Sequence, residues 1–167
     1  MQGVAREIAD GHEIKFERYL KYPVDRVWTA LTQPALMVLW LAEAEVEPTT
    51  GGRVQLRWLN AKEPTTEIVA RGTVTAFDPP HLVEYQTDIH GRLRWELQPE
   101  GEGCLLRFTC TIALPADHLL MNMAGWHMHL EHLSDALEGQ SVNWPEWWTV
   151  HYPRWQEIHD QYTGLRK

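Results

Sequence analysis

Residues 115–139, PADHLLMNMAGWHMHLEHLSDALEG, carry the longest uninterrupted helical pattern in the chain. Leu119, Met123, Trp126, Leu130, Leu133 and Leu137 recur at alternating steps of four and three, which at about 3.6 residues per turn sets all six on one stripe. Pro115 ends what precedes the helix, Asp117 stands where it can cap the first turn, and Gly139 offers the left-handed residue on which helices commonly stop. A helix of about 21 residues is ~32 Å long, the width of a small domain. Its apolar stripe therefore demands a broad partner, and the strands before it are expected to supply one.

The first eleven residues show no periodicity and are expected to be a loose lead-in. From His12 to Tyr22, Ile14, Phe16, Arg18 and Leu20 alternate with Glu13, Lys15, Glu17 and Tyr19, the period of a half-buried strand. Arg18 is the odd member of the apolar set. Pro23 and Pro34 each precede a short helical pattern, Val24, Val27, Trp28 and Leu31 in the first and Leu36, Leu39 and Trp40 within 35–41 in the second. Six further alternating runs follow, at 44–47, 53–59, 67–77, 81–87, 92–98 and 104–114, separated by turn residues and by a polar loop at 60–66. Seven strands are thus predicted. Beyond Gly139, Pro145 and Pro153 divide a Trp-rich end into two pieces, the second with Trp155, Ile158 and Tyr162 at helical spacing. No composition shift separates that end, so residues 1–167 are expected to form one domain with a core over 13–139 and residues 140–167 packed on it.

Fifteen Lys plus Arg stand against twenty-three Asp plus Glu, a formal charge of -8 with no basic run, and a polyanion would be repelled rather than gathered. Nucleic-acid binding is not expected. No segment reaches ~20 consecutive apolar residues, and the N-terminus lacks the basic-then-apolar order of a signal peptide, so neither a membrane partner nor export is expected and a cytoplasmic location is. Cys104 and Cys110 lie six apart in one predicted strand, ~20 Å along it and beyond disulfide reach, and are read as small buried thiols. Nine tryptophans are the compositional anomaly. So much aromatic surface at Trp144, Trp147, Trp148 and Trp155 is expected to cover either the domain's own edge or a second subunit, and a homodimer is the favoured expectation.

The order of strand, two short helices, six strands and long helix is accompanied by specific local texture. Tyr22-Pro23 precedes Val27-Trp28-Ala30-Leu31-Thr32, Trp40 lies in the second helix, Gly51-Gly52 forms a turn, Pro79-Pro80 precedes Leu82, and Gly125-Trp126 leads to Leu130, Leu133, Leu137 and Gly139. Over residues 13–139 the chain resembles the START-like, helix-grip superfamily, in the branch of the heat-shock 90 ATPase activator C-terminal-domain-like proteins. That resemblance implies an α+β fold in which a curved antiparallel sheet wraps the long helix, with a cavity between them that many relatives use for apolar molecules. Cys104 departs from the Thr common there, and the Trp-rich end lies outside the match.

Within such a cavity Trp58, Trp95 and Trp126 are candidate walls, with Trp40, Phe108, Met123 and Leu130 lining its apolar side. Met121-Asn122-Met123 would form a pliable mouth. His127 lies at the margin of the stripe, a candidate polar contact. Arg18 is either paired with a structural partner such as Glu84 or Glu96 or anchors the anionic or hydrogen-bonding end of a ligand, because a lone buried guanidinium is costly. His127 and His129, two apart on a helix, point to opposite sides and cannot share an ion; His129 and His132 could, but no H-E-x-x-H pattern is present and the histidines are read as surface or cavity-edge residues. No metal, cofactor or catalytic residue is expected, since there is neither a phosphate loop, nor a G-x-S-x-G elbow, nor a cysteine in a basic setting. The favoured function is a non-catalytic carrier or sensor of a small, largely apolar or aromatic molecule. A polyketide cyclase or aromatase type of enzyme using His127 and Arg18 is the second reading, and a co-chaperone contact domain the third.

Overall fold

Alternation of apolar and polar side chains, continued through seven of its eight strands, gives one face of the sheet its core. The computed structural model describes residues 2–63 and 65–164; Pro64, expected in the polar loop, and the last three residues of the C-terminal extension lie outside the described residues. Strands β1 (Val4–Ile8), β2 (Gly11–Leu20), β3 (Glu43–Val46), β4 (Arg53–Trp58), β5 (Ile68–Asp78), β6 (Leu82–Thr87), β7 (Gly91–Glu100) and β8 (Gly103–Ile112) form a curved antiparallel sheet in the order β1-β2-β8-β7-β6-β5-β4-β3. Ile14 and Phe16 of β2, Leu106 and Phe108 of β8, Trp95 of β7, Tyr85 of β6 and Leu56 of β4 all turn to the buried face. Glu84, Arg94 and Glu96 alternate with them and belong to the other face.

The lead-in is a strand, not a loose segment. Ile8 and Gly11 pair across a two-residue turn, and β1 runs back along β2 from there. Edge pairing needs backbone hydrogen bonds but no apolar face, and Val4 remains 69% exposed, which is why periodicity did not mark β1. Gly11 has φ +147, and a Cβ there would lie 2.2 Å from the Ile112 carbonyl oxygen, so the turn closes against β8 only without a side chain.

Helices α1 (Val24–Thr32) and α2 (Pro34–Met37) bridge β2 to β3, and α3 (Leu119–Leu137) crosses the concave face. The α2 helix is shorter than its pattern; residues 38–41 are turns closed by bonds such as Trp40 N–H to Met37 O, 3.3 Å. Asp117 does not cap α3. It lies within a 3-10 turn, Ala116–His118, that leads the chain in, and the N-cap His118 makes no side-chain cap bond. At the other end Gly139 has φ +90, its N–H bonds Ala136 O at 3.0 Å and the Gln140 N–H bonds Asp135 O at 2.9 Å, the paired closure that a left-handed glycine permits.

All six stripe residues of α3 are buried, but so are Ala124, His127, Met128, His129 and His132. The histidines are therefore core residues and not surface ones, because the C-terminal extension covers the second side of the helix. There α4 (Trp147–Val150) and α5 (Tyr152–Gly164) pack, with α5 along α3. Trp147 Nε1–H donates to His132 Nε2 at 3.1 Å and Trp144 Nε1–H to Val38 O at 2.7 Å. The aromatic surface that motivated a second subunit is thus largely used within the chain.

Between sheet and helix the middle is filled. Trp95 stacks on Phe108 with ring centres 4.0 Å apart, Trp126 lies 4.6 Å from Phe108, and Trp40 meets Trp95 edge-on at 5.7 Å. Trp126→Ala is expected to destabilise the fold by ~3–5 kcal/mol, the cost of deleting a large core aromatic; denaturant unfolding measures it, and an unchanged midpoint would contradict this packing.

Candidate ligand pocket

One end of the seam between sheet and helix stays open. Trp58 ends β4 on the inward side after Val54 and Leu56, and its ring meets Trp126 edge-on at 5.8 Å and His90 at 4.9 Å. His90 sits in the β6–β7 turn, which Thr87 holds: its hydroxyl accepts the His90 backbone N–H at 3.1 Å and donates to Gly91 O at 2.9 Å. From α3 come Met121, Asn122, Gly125, Trp126 and His129, members of one face that shares Trp126 with the apolar stripe. Together with Asn60 and Ile68 they enclose a cavity of about 220 Å³. Trp58, Trp126 and His129 are its buried floor; Ile68 and Met121 are exposed at its rim.

Among the described residues, no charged side chain lines this cavity. Burial pushes His90 down to about 4, with Asp88 opposing, and His129 to about 4 as well, so both rings are neutral near pH 7. His129 donates Nδ1–H to Trp40 O at 3.0 Å, which fixes its tautomer and leaves Nε2 as a lone-pair acceptor. Three buried polar atoms here have no hydrogen-bond partner among the described residues: Trp58 Nε1, His90 Nε2 and Asn122 Oδ1. Each is costly to leave so in an apolar setting.

The nine residues singled out from the sequence separate into three places. Trp58 and Trp126 line the cavity. Trp40, Trp95, Phe108, Met123 and Leu130 belong to the filled core behind it, where Trp40 Nε1–H is spent on Ala30 O at 2.8 Å. Arg18 and His127 lie elsewhere, under α5. Glu84 and Glu96 do not pair with Arg18, because both bind Arg94 on the opposite face of the sheet, Glu84 at 2.9 Å. Arg18 lies over the Phe16 ring at 5.5 Å and donates Nη1–H to Glu17 O at 2.8 Å. Burial lowers its pKa while Tyr162 and Glu131 act the other way. The Tyr162 hydroxyl accepts the Gly3 N–H at 2.7 Å and so turns its own hydrogen to His127 Nδ1, also at 2.7 Å. The other His127 nitrogen faces Glu131 at 3.6 Å. His127 and then Arg154, which bonds the same carboxylate at 2.7 Å, hold Glu131 down at about 2. Among the described residues no group of three or more His, Cys, Asp or Glu could hold a metal ion, and no helix is long and apolar enough to cross a membrane.

His90, Asn60, Ile68 and Gly125 were not picked out from the sequence as site residues, and His129 was read there only as a surface or cavity-edge histidine. Gly125 carried a usable signal, since a glycine inside a helix costs ~1 kcal/mol relative to alanine and calls for a reason. Here a Cβ added to it meets nothing within 4 Å, and its open side is the cavity.

The sequence pattern of the activator of Hsp90 ATPase homolog 1-like family matches residues 21–138. The chain belongs to that family. The match runs from Lys21 to Glu138, so β1, β2 and the Trp-rich extension lie outside the family pattern. Solved structures share the fold more widely: CalU16 from Micromonospora echinospora, at 21% identity and TM-score 0.70, covers 98% of this chain and 96% of its own. A protein from Bordetella parapertussis, at 26% identity and TM-score 0.70, covers 98% and 90%, and the AHSA1-like protein from Aeromonas hydrophila, at 21% and 0.64, covers 76% and 92%. No curated protein matches the sequence. The family's fold is compatible with ligand binding and with polyketide cyclase-like roles alike.

The neutral histidines of α3 predict how this family member responds to acid. Burial lowers His129 to about 4, and burial with His129 and His151 nearby lowers His132 to about 3. A depressed folded pKa contributes stability that is present above the unfolded value, near 6.5, and lost as pH falls through the folded one. The unfolding free energy from urea titration is therefore expected to hold above pH ~7 and to fall by a few kcal/mol between pH ~6.5 and ~3, and the urea midpoint with it. His129→Gln, which keeps a donor for Trp40 O, is expected to flatten that profile; a wild-type midpoint level across the window would contradict the burial of these rings as neutral bases.

Proposed function

We propose that the protein is a non-catalytic carrier or sensor that holds a small, largely apolar or aromatic molecule in the cavity between β4, the β6–β7 turn and the first half of α3. The observation that carries this reading is an aromatic-floored cavity, three of whose lining residues each keep a buried polar atom without a partner among the described residues. A pocket made only to fill would not leave an indole N–H, an amide oxygen and an imidazole nitrogen unmet on three of its lining residues. Its size suits the role: an apolar cavity of ~150 Å³ accepts benzene, so about 220 Å³ takes one ring, or the end of a larger molecule that emerges past Ile68 and Met121.

What supports a non-catalytic role is the state of the reactive groups. Cys104 and Cys110 are free and buried, and burial raises both thiols, Cys110 to about 12. His127, the sequence's candidate polar participant, is engaged by Tyr162 and Glu131. The test is a plug. Gly125→Leu projects a side chain into the cavity without meeting backbone, so toluene and phenol are expected to bind the wild-type protein saturably in an NMR titration and to bind the variant at least tenfold more weakly, with the thermal midpoint retained. Absence of saturable binding to the wild type, or binding indifferent to the plug, would sink the proposal.

A further inference from the structure

The same cavity also carries information about which molecules it prefers, an inference that rests on the reading above. We propose that it selects neutral ligands whose ring bears a group that both donates and accepts hydrogen bonds, such as a carboxamide or lactam, over carboxylic acids and over bare hydrocarbons of the same size.

The argument starts from what the three unmet atoms can do. Trp58 Nε1–H only donates, and Asn122 Oδ1 only accepts. His90 Nε2 is the third, on a ring set edge-on to Trp58 with centres 4.9 Å apart. A complementary group therefore needs an acceptor for the indole and a donor for the amide oxygen. A carboxamide has both, an oxygen on one side of its carbon and an N–H on the other. A carboxylate has only acceptors, so it would set one oxygen against Asn122 Oδ1.

Charge points the same way. Among the described residues no Lys, Arg, Asp or Glu lines the cavity, so an anion entering it loses water and gains no counter-charge from them. The half-buried guanidinium of Arg18, on the sheet's inner side, is not among the lining residues; it lies over Phe16 in the cluster under α5. The anionic or hydrogen-bonding ligand end that an Arg18 anchor would serve thus does not meet Arg18 in this cavity. A hydrocarbon has the opposite fault: it enters freely but leaves the indole N–H, the amide oxygen and the imidazole nitrogen unsatisfied.

The experiment compares benzamide, toluene and benzoate at pH 7 on the ¹⁵N-labelled full chain, following the Trp58 indole N–H resonance. Benzamide is expected to bind roughly tenfold more tightly than either of the others, as two well-made hydrogen bonds allow, and to move that resonance downfield. In Asn122→Leu and in Trp58→Phe, whose folds are checked by thermal midpoint, the advantage of benzamide over toluene is expected to disappear. Toluene binding as tightly as benzamide, or benzoate binding more tightly, would overturn the selectivity while leaving the pocket's role as a ligand site intact. If none of the three binds, the role itself falls, and the selectivity with it.

Discussion

The contact between Trp126 and the Phe108–Trp95 stack sets the distance between helix and sheet, and most other features of the molecule follow from it. An indole at the centre of α3 reaching two stacked rings on the sheet occupies the middle of the grip. Because Trp40 closes the same layer from the side, the free volume in this chain is displaced to the mouth, where the sheet curves away from the start of α3. A bulky centre and an open end are thus one arrangement. Smaller residues at Trp95 or Trp126 would move space inward and convert a one-ring site into a deeper cavity.

The second dependence is on how α3 tolerates burial on two sides. A helix with one wet face can carry charge there; this one has lost most of that face to the extension, and imidazoles take the place of charged groups. His129 is satisfied by Trp40 O and His132 by the Trp147 indole, both as neutral rings. Glu131 is the exception, and it keeps its charge because Arg154 and His127 reach it. Polar side chains on α3 thus dock the extension, and their neutrality is what makes that docking compatible with a dry interior.

Much of the fold was legible in the sequence because two periods, 2 and 3.6, are cleanly written in it. The six-residue stripe of α3, the alternation of β2, β4, β7 and β8, and the glycine end at Gly139 each report a local rule that tertiary contacts reinforce. What stayed hidden obeys no period. Strand β1 is held by backbone bonds at a sheet edge, and α3's second buried face depends on a segment folding back from beyond Gly139. The site was half legible. Trp58 and Trp126 announce themselves by bulk, whereas His90 reaches the cavity from a turn 32 residues along the chain from Trp58, a proximity that only sheet order creates. Arg18 misled for a related reason: it stands on the inner side of β2, but β2 is separated from β6 by two strands, and the space beneath it belongs to α5.

The Tyr162 hydroxyl has one more consequence, for how the two ends of the chain behave. It receives the backbone N–H of Gly3, and Gln2 reaches Gln161 close by at 3.4 Å, so residues 159 apart in sequence are fastened together. Chain ends ordinarily fray independently of one another. In this molecule the described chain is closed into a ring by that hydroxyl, and loosening β1 strips α5 of a partner just as lifting α5 leaves Gly3 unmet. Loosening of β1 and of the end of α5 is therefore coupled, and a pull on one of them loads the other.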